Sequence, residues 1–253
     1  MHILSLLIVF LLSCLPTSSS QAQSAPMNLE SFVTVYVKQT YSTNSPVCTD
    51  IGCEDSEILL GESLSQGSGA SIAQKFWKER SAIITAGHLC EEFNKEIPDE
   101  MTYLFSDTKV ISVMYIMDYE GRYYKASMGM IDKANDICII YVDKRIPSLR
   151  LGLAPKHGDV IYNEAAPLDL SFARAIPVFD GYYSGTVEDT STGFKKALYT
   201  IPGHSGSSGS PVVNDSGNLI GTITSVIVDF PHITTGPDYE SVKLAVKWGH
   251  QNL

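Results

Sequence analysis

Positive charge is scarce in this chain. Its 18 lysine and arginine residues are outnumbered by 28 aspartate and glutamate residues, so its 253 residues carry a net charge of −10. A surface that binds nucleic acid needs the opposite balance, and we predict no nucleic-acid partner. The sequence also lacks a glycine-rich phosphate loop, and its histidines and acidic residues do not follow metal-ligand spacing. We therefore predict no cofactor and no metal.

Charged residues are absent from the first 24 positions, which contain no lysine, arginine, aspartate or glutamate. Residues 3–15 are nearly continuously apolar, and small residues follow them up to Ala22 and Ser24. The run is shorter than the roughly 20 residues that span a bilayer, and it is typical of a secretory signal peptide. We expect cleavage near Ala22 or Ser24, which leaves about 230 residues without a stable membrane span in a secreted or periplasmic protein. A retained N-terminal anchor is the alternative.

Cysteine is also rare, and four of the five cysteines follow the signal segment. Cys48 and Cys53 lie close together in the sequence, and in an oxidising compartment we predict that they close a small loop. Their interpretation as metal ligands is weak because no second pair follows at a zinc-like spacing. Cys90 and Cys138 form either a disulfide or two buried thiols, and the sequence leaves both open.

Short β segments dominate the remaining pattern. Residues 110–117 and 123–130 read as a hairpin, and the apolar run 137–142 is typical of a strand buried on both faces. Strands of this length with glycine-rich turns favour barrels or sandwiches over a parallel sheet. Residues 241–248 alone have a convincing helical spacing, with apolar side chains on one side. We predict an all-β fold with a C-terminal helix and a division near residues 147–155.

Three short motifs indicate chemistry, in the order His, Asp, Ser. His88 follows the small-residue turn Thr-Ala-Gly, Asp136 comes directly before the buried run, and Ser208 lies in Gly-Ser-Ser-Gly-Ser-Pro at residues 206–211. A serine nucleophile needs a base to take its proton and a carboxylate to orient that base. It also needs main-chain donors for the oxyanion, and the glycines allow the N–H groups of Gly206 and Ser208 to converge.

These motifs resemble those of the trypsin/chymotrypsin family of serine endopeptidases. The family pattern Gly-x-Ser-Gly-Gly/Ser-Pro is satisfied at Ser208 and not at Ser205 or Ser207. The resemblance implies two antiparallel six-stranded β-barrels after a signal peptide at 1–24. Residues 25–150 would form the first barrel with His88 and Asp136, and residues 151–253 the second with the serine and the terminal helix. The resemblance also implies an oxyanion hole, no cofactor, and protein or peptide substrates.

The chain departs from the family pattern before the nucleophile. Trypsin-type zymogens have an aspartate where Ser207 stands, so the chain is more similar to the bacterial and viral branch, including glutamyl endopeptidases and heat-shock proteases. The resemblance implies a substrate pocket lined by Gly203, His204, Thr224 and Ser225. This pocket has no aspartate at its base, so we do not expect a preference for Lys or Arg at P1, the substrate residue before the scissile bond. An acidic P1 residue bound near His204 is one hypothesis, and a small or apolar P1 is the other. A peptide-library profile without Glu or Asp at P1 would exclude the first.

Two other functions remain as alternatives. A lipase or esterase would need glycine where Ser207 stands, and its catalytic residues would follow the order Ser, acid, His. A catalytically silent trypsin-fold binding module would normally have lost a member of the triad, and this sequence retains all three. Labelling of the active site distinguishes that module from an enzyme. The sequence does not indicate an oligomeric state.

Overall fold

The computed structural model describes residues 27–49, 52–75, 79–97, 107–170, 172–190 and 193–253. The predicted signal peptide lies outside these residues. The described chain is all-β with a C-terminal helix, as the sequence predicted. No helix within the described ranges is long and apolar enough to cross a membrane.

The first six strands close into an antiparallel barrel, here called the first barrel, with the order β1-β2-β3-β6-β5-β4. The predicted hairpin is β4 and β5, and the predicted buried strand is β6, all six residues of which are buried. An apolar residue at every position suits a strand that packs on both faces. The strands are β1 Phe32–Thr49, β2 Gly52–Lys75, β3 Arg80–Ala86, β4 Thr108–Asp118, β5 Tyr123–Asp132 and β6 Ile137–Val142.

Strands β1 and β2 extend beyond the barrel as a two-stranded ribbon. Strand β1 pairs with β4 only from Val33 to Thr43, whereas its pairing with β2 continues to Thr49. This register sets Cys48 opposite Cys53. The side chain of Cys48 is outside the described part of the structure, so the disulfide between these residues remains a prediction.

Strands β7 to β13 form a curled sheet, here called the second sheet, with the order β11-β10-β7-β8-β9-β13-β12. The resemblance implied a six-stranded barrel, and the mostly apolar run 219–228 reads as one strand where the structure has β11 and β12. These two strands end the sheet and are separated only by Ile223 and Thr224. The strands are β7 Val160–Glu164, β8 Val178–Glu188, β9 Lys195–Tyr199, β10 Pro211–Asn214, β11 Leu219–Thr222, β12 Ser225–Ile227 and β13 Phe230–Pro237.

Main-chain bonds explain why that strand is divided. The N–H of Gly209 donates to the carbonyl oxygen of Ile223, at an N···O distance of 2.6 Å. The N–H of Ile223 donates to the carbonyl oxygen of Ser210. The next N–H, that of Thr224, donates to the carbonyl of Thr235. The chain therefore changes partner at these two residues, leaving the loop around Ser208 for strand β13. The second sheet is curled, and its two end strands, β11 and β12, are consecutive in the chain.

The C-terminal helix α2, Tyr239–Asn252, joins the two halves of the molecule. Asp238 caps it by accepting the N–H of Ser241. Its buried residues belong to a core cluster with side chains of the first barrel and with two of the second sheet, Val213 and Leu219. Complete burial of an aliphatic side chain such as Val242 stabilises the fold by about 2 kcal/mol. The helix therefore fixes the first barrel against the second sheet.

Candidate active site

Two neighbouring strands bring His88 and Asp136 together. Strand β3 ends at Ala86, and the short helix α1, Gly87–Phe93, begins directly after it. Strand β6 begins after Asp136 and runs antiparallel to β3, with Ala86 opposite Ile137. The end of one strand and the start of the other are therefore adjacent, and the two predicted residues meet there.

A network of hydrogen bonds fixes the imidazole of His88 on the carboxylate of Asp136. The Nδ1 atom lies 3.1 Å and 3.0 Å from the two carboxylate oxygens, and the main-chain N–H of His88 donates to Oδ1 over 2.7 Å. An N–H at Nδ1 directed to a carboxylate leaves Nε2 as the proton acceptor of the neutral ring. The side-chain hydrogen bond raises the pKa of His88, while partial burial opposes that rise.

The backbone around this pair is tightly packed. Asp136 has a φ of +54°, a left-handed conformation that costs a non-glycine residue about 1 kcal/mol or more. The N–H of Gly87 donates to the carbonyl of Asp136, and a Cβ at Gly87 would lie 2.9 Å from the Asp136 carbonyl carbon. Glycine is therefore required at position 87 for the two segments to approach this closely.

A disulfide joins Cys90 to Cys138, with their Cα atoms 6.3 Å apart. The sequence left this pair open between a disulfide and free thiols, and the structure has the disulfide. Both residues are fully buried. Each follows one of the paired residues by two positions, so the bond connects α1 and β6 beside His88 and Asp136.

Ser208 shares a cleft with His88. The cleft has a volume of about 550 Å³ and is lined by Leu64, Ser65, Gln66, His88, Leu89, Glu92, Leu168, Ser205, Gly206 and Ser208. In contrast to the partly exposed Ser208, Ser207 is buried, and its Oγ accepts the N–H of His204. No hydrogen bond within the described chain joins the Ser208 hydroxyl to His88. Such contacts are often loose before substrate binds.

Main-chain bonding in the loop 204–210 leaves two N–H groups available. The N–H groups of five residues have acceptors, namely His204, Ser205, Ser207, Gly209 and Ser210. In this fully described loop, only the N–H groups of Gly206 and Ser208 have none. They are the two that the sequence predicted as oxyanion donors. Both residues also line the cleft that contains His88.

A smaller pocket of about 160 Å³ lies beside Ser208. Its walls include all four predicted pocket residues, Gly203, His204, Thr224 and Ser225. Nδ1 of His204 accepts the N–H of Ser205 at 2.8 Å, so Nε2 carries the proton of the neutral ring. Of the described residues that line the pocket, only His204 can carry a charge.

Ser68, which was not predicted from the sequence, lies on β2 and contacts the loop around Ser208. Its hydroxyl donates to the carbonyl of Gly206 at 2.8 Å, and its N–H donates to the carbonyl of Ser208 at 2.7 Å. The sequence showed the glycines on either side of Ser68, but no local pattern indicated a role for its side chain.

One family model matches the segment of the chain that contains these residues. The trypsin-like peptidase domain matches residues 67–221, which include His88, Asp136 and Ser208. Comparison with curated protein sequences found no match. Among the described residues, no cluster of three or more His, Cys, Asp or Glu side chains could hold a metal ion. Because the match covers more than half of the chain, the protein belongs to the family of trypsin-like peptidase domains.

Proposed function

We propose that the protein is a serine endopeptidase with the triad Ser208, His88 and Asp136. One observation carries the proposal: an imidazole held on a carboxylate shares a cleft with a serine whose loop leaves two N–H groups without acceptors. A purely structural loop has no need for this combination, whereas acyl transfer needs every part of it.

In the proposed mechanism, Nε2 of His88 takes the proton of the Ser208 hydroxyl as the oxygen attacks the scissile carbonyl. The negative charge that develops on the carbonyl oxygen accepts hydrogen bonds from the N–H groups of Gly206 and Ser208. His88 then donates its proton to the leaving amine, and an acyl-enzyme forms at Ser208. Water, activated by His88, hydrolyses that ester. Asp136 keeps the ring in the required tautomer and stabilises its charged form.

We further propose that the pocket beside Ser208 binds the P1 side chain. The support for this is that the pocket is lined by Ser208 itself and by the four residues that the sequence predicted for it. No acidic residue is among the described residues that line the pocket, which disfavours Lys and Arg at P1. Acidic P1 binding rests on the Nε2–H of His204 and the hydroxyls of Thr224 and Ser225. It remains a hypothesis beside a small or apolar P1.

A second candidate is a catalytically silent trypsin-fold binding module, with which the absence of a hydrogen bond between Ser208 and His88 in the described chain is also compatible. The proposed secretion rests on the charge-free leader and is supported by the disulfide, because disulfides persist in oxidising compartments.

Peptide hydrolysis by the purified mature protein tests the proposal. Ser208→Ala is expected to reduce kcat by about 10⁶-fold, as loss of the nucleophile does in a comparable triad. Ser216→Ala, in an exposed turn, is the matched control and should retain the native rate. Hydrolysis by Ser208→Ala at the native rate would refute Ser208 as the nucleophile. A folded native protein without hydrolysis would favour the binding module.

A further inference from the structure

Ser68 bonds with the loop around Ser208 through both its main chain and its side chain. It lies on β2 of the first barrel and is fully buried. Its N–H donates to the carbonyl of Ser208, and its hydroxyl donates to the carbonyl of Gly206. The same hydroxyl accepts the N–H of Ala166 at 3.1 Å, and its carbonyl accepts the hydroxyl of Thr85 at 2.7 Å. Because the hydroxyl has one proton and already accepts from Ala166, its donation is directed to Gly206.

Gly206 needs such external bonds because its own backbone is permissive. Its φ is +91°, and glycine adopts positive and negative φ with similar ease. A side chain cannot replace the glycine, since a Cβ there would lie 2.4 Å from the carbonyl oxygen of Ala166. The orientation of the peptide groups on either side of Gly206 must therefore come from their hydrogen-bond partners.

Each of these two peptide groups is held from outside the loop. The carbonyl of Ser205, in the peptide before Gly206, accepts the N–H of Leu168 at 2.8 Å. In a trans peptide the C=O and N–H point in opposite directions, so this bond turns the N–H of Gly206 away from Leu168. The carbonyl of Gly206, in the peptide after it, is held by the Ser68 hydroxyl. Without that hydroxyl, one side of Gly206 loses its external bond.

We propose that Ser68 is a positioning residue: its hydroxyl, on the first barrel, fixes the carbonyl of Gly206 and thereby holds the N–H of Gly206, one of the two proposed oxyanion donors, in its working orientation. The inference rests on the proposed endopeptidase function and adds a residue from the other half of the molecule to that site. Ser68 does not contact the reacting atoms. It acts through Gly206, whose N–H stabilises the oxyanion in the proposed mechanism.

Steady-state kinetics of Ser68→Ala and Ser71→Ala test this role. Ser71 is the matched control because it lies on the same strand and is fully buried, and its hydroxyl donates to the main-chain carbonyl of Ile146 at 3.1 Å. We expect Ser68→Ala to lower kcat by roughly 10- to 100-fold, with KM changed less than about 2-fold, because misplacement of a catalytic group by 1 Å costs about 100-fold. Ser71→Ala should keep the native kcat even where it lowers Tm.

The affinity for a peptide trifluoromethyl ketone is a second measurement, and a general loss of stability would not change it. Its adduct with Ser208 carries a negative oxygen in the position of the oxyanion. Its affinity should fall in Ser68→Ala by the same factor as kcat/KM, whereas the affinity of a cleaved product peptide should stay within about 2-fold. Equal affinities of the ketone for Ser68→Ala and Ser71→Ala would overturn the proposal.

The pair Ser68→Thr and Ser68→Val keeps the test decisive if Ser68→Ala does not fold. The two side chains have nearly the same shape, and only threonine retains the hydroxyl. The threonine variant should exceed the valine variant in kcat by roughly 10-fold or more, and equal rates would contradict the proposal. Absence of hydrolysis in the native protein would instead refute the proposed function, so the two failures are distinguishable.

Discussion

Glu164→Gln should remove a pH-dependent decrease in the free energy of unfolding that the buried carboxyl of Glu164 causes. Glu164 is the last residue of β7 and is 1% exposed, and its Oε2 atom has no hydrogen-bond partner among the described residues. Burial raises the pKa of this carboxyl from 4.5 to about 7, because the charged form loses its hydration without gaining a partner. The folded state therefore favours the protonated form.

The sign and size of the effect follow from that pKa. Between pH 4.5 and pH 7 the folded protein binds more protons at Glu164 than the unfolded chain does, so the free energy of unfolding falls as the pH rises. The pKa difference corresponds to about 3 kcal/mol. The free energy of unfolding falls by this amount between pH 4.5 and pH 7, and the contribution of Glu164 does not change further above pH 7. A buried glutamine amide also carries a cost, but that cost does not change with pH.

Urea unfolding from pH 4 to pH 8 measures the effect as a difference between two proteins. The free energy of unfolding of Glu164→Gln relative to the native protein should rise by about 3 kcal/mol over this range. Contributions of other titrating groups, including His88, are common to both proteins and cancel. Glu188→Gln, an exposed change on β8, is the control and should follow the native curve. Parallel curves for Glu164→Gln and the native protein would show that the carboxyl of Glu164 does not have a raised pKa in the folded state.

Two further predictions concern the His–Asp pair and its disulfide. Asp136→Asn should lower kcat by about 10⁴-fold, as in a comparable triad, and should shift the acid limb of kcat/KM to lower pH, because the carboxylate that raises the pKa of His88 is lost. Unchanged pH–rate profiles would contradict this role. Replacing Cys90 and Cys138 together by alanine should lower the free energy of unfolding by about 4 kcal/mol, from the loop entropy of a 48-residue separation. A urea-unfolding midpoint equal to that of the native protein would count against it.

The sequence predicted those parts of the fold that local patterns determine. The apolar run 137–142 is strand β6, and the helical spacing at 241–248 lies within α2. Helix α1 was missed because its seven residues make only two turns, too few for a clear helical period. The division between β11 and β12 was also missed. The apolar pattern continues across Ile223 and Thr224, and the break arises from hydrogen bonds to distant residues.

The same distinction applies to the site. The positions of His88, Asp136 and Ser208 could be predicted because each has a local motif. Ser68 could not, because the hydroxyl partners that give it a role lie 98 and 138 residues further along the chain. A hydrogen bond at that separation is set by how the first barrel packs on the loop 204–210, and it leaves no periodic signal in the sequence.

Fluorophosphonate labelling of the purified mature protein tests whether Ser208 is a nucleophile activated by His88. The probe phosphonylates a serine only when a base activates the hydroxyl, and mass spectrometry of the digested protein identifies the modified residue. We expect one adduct per chain, located on Ser208 and lost in both Ser208→Ala and His88→Ala. An adduct on another serine, or no adduct on a folded native protein, would contradict it.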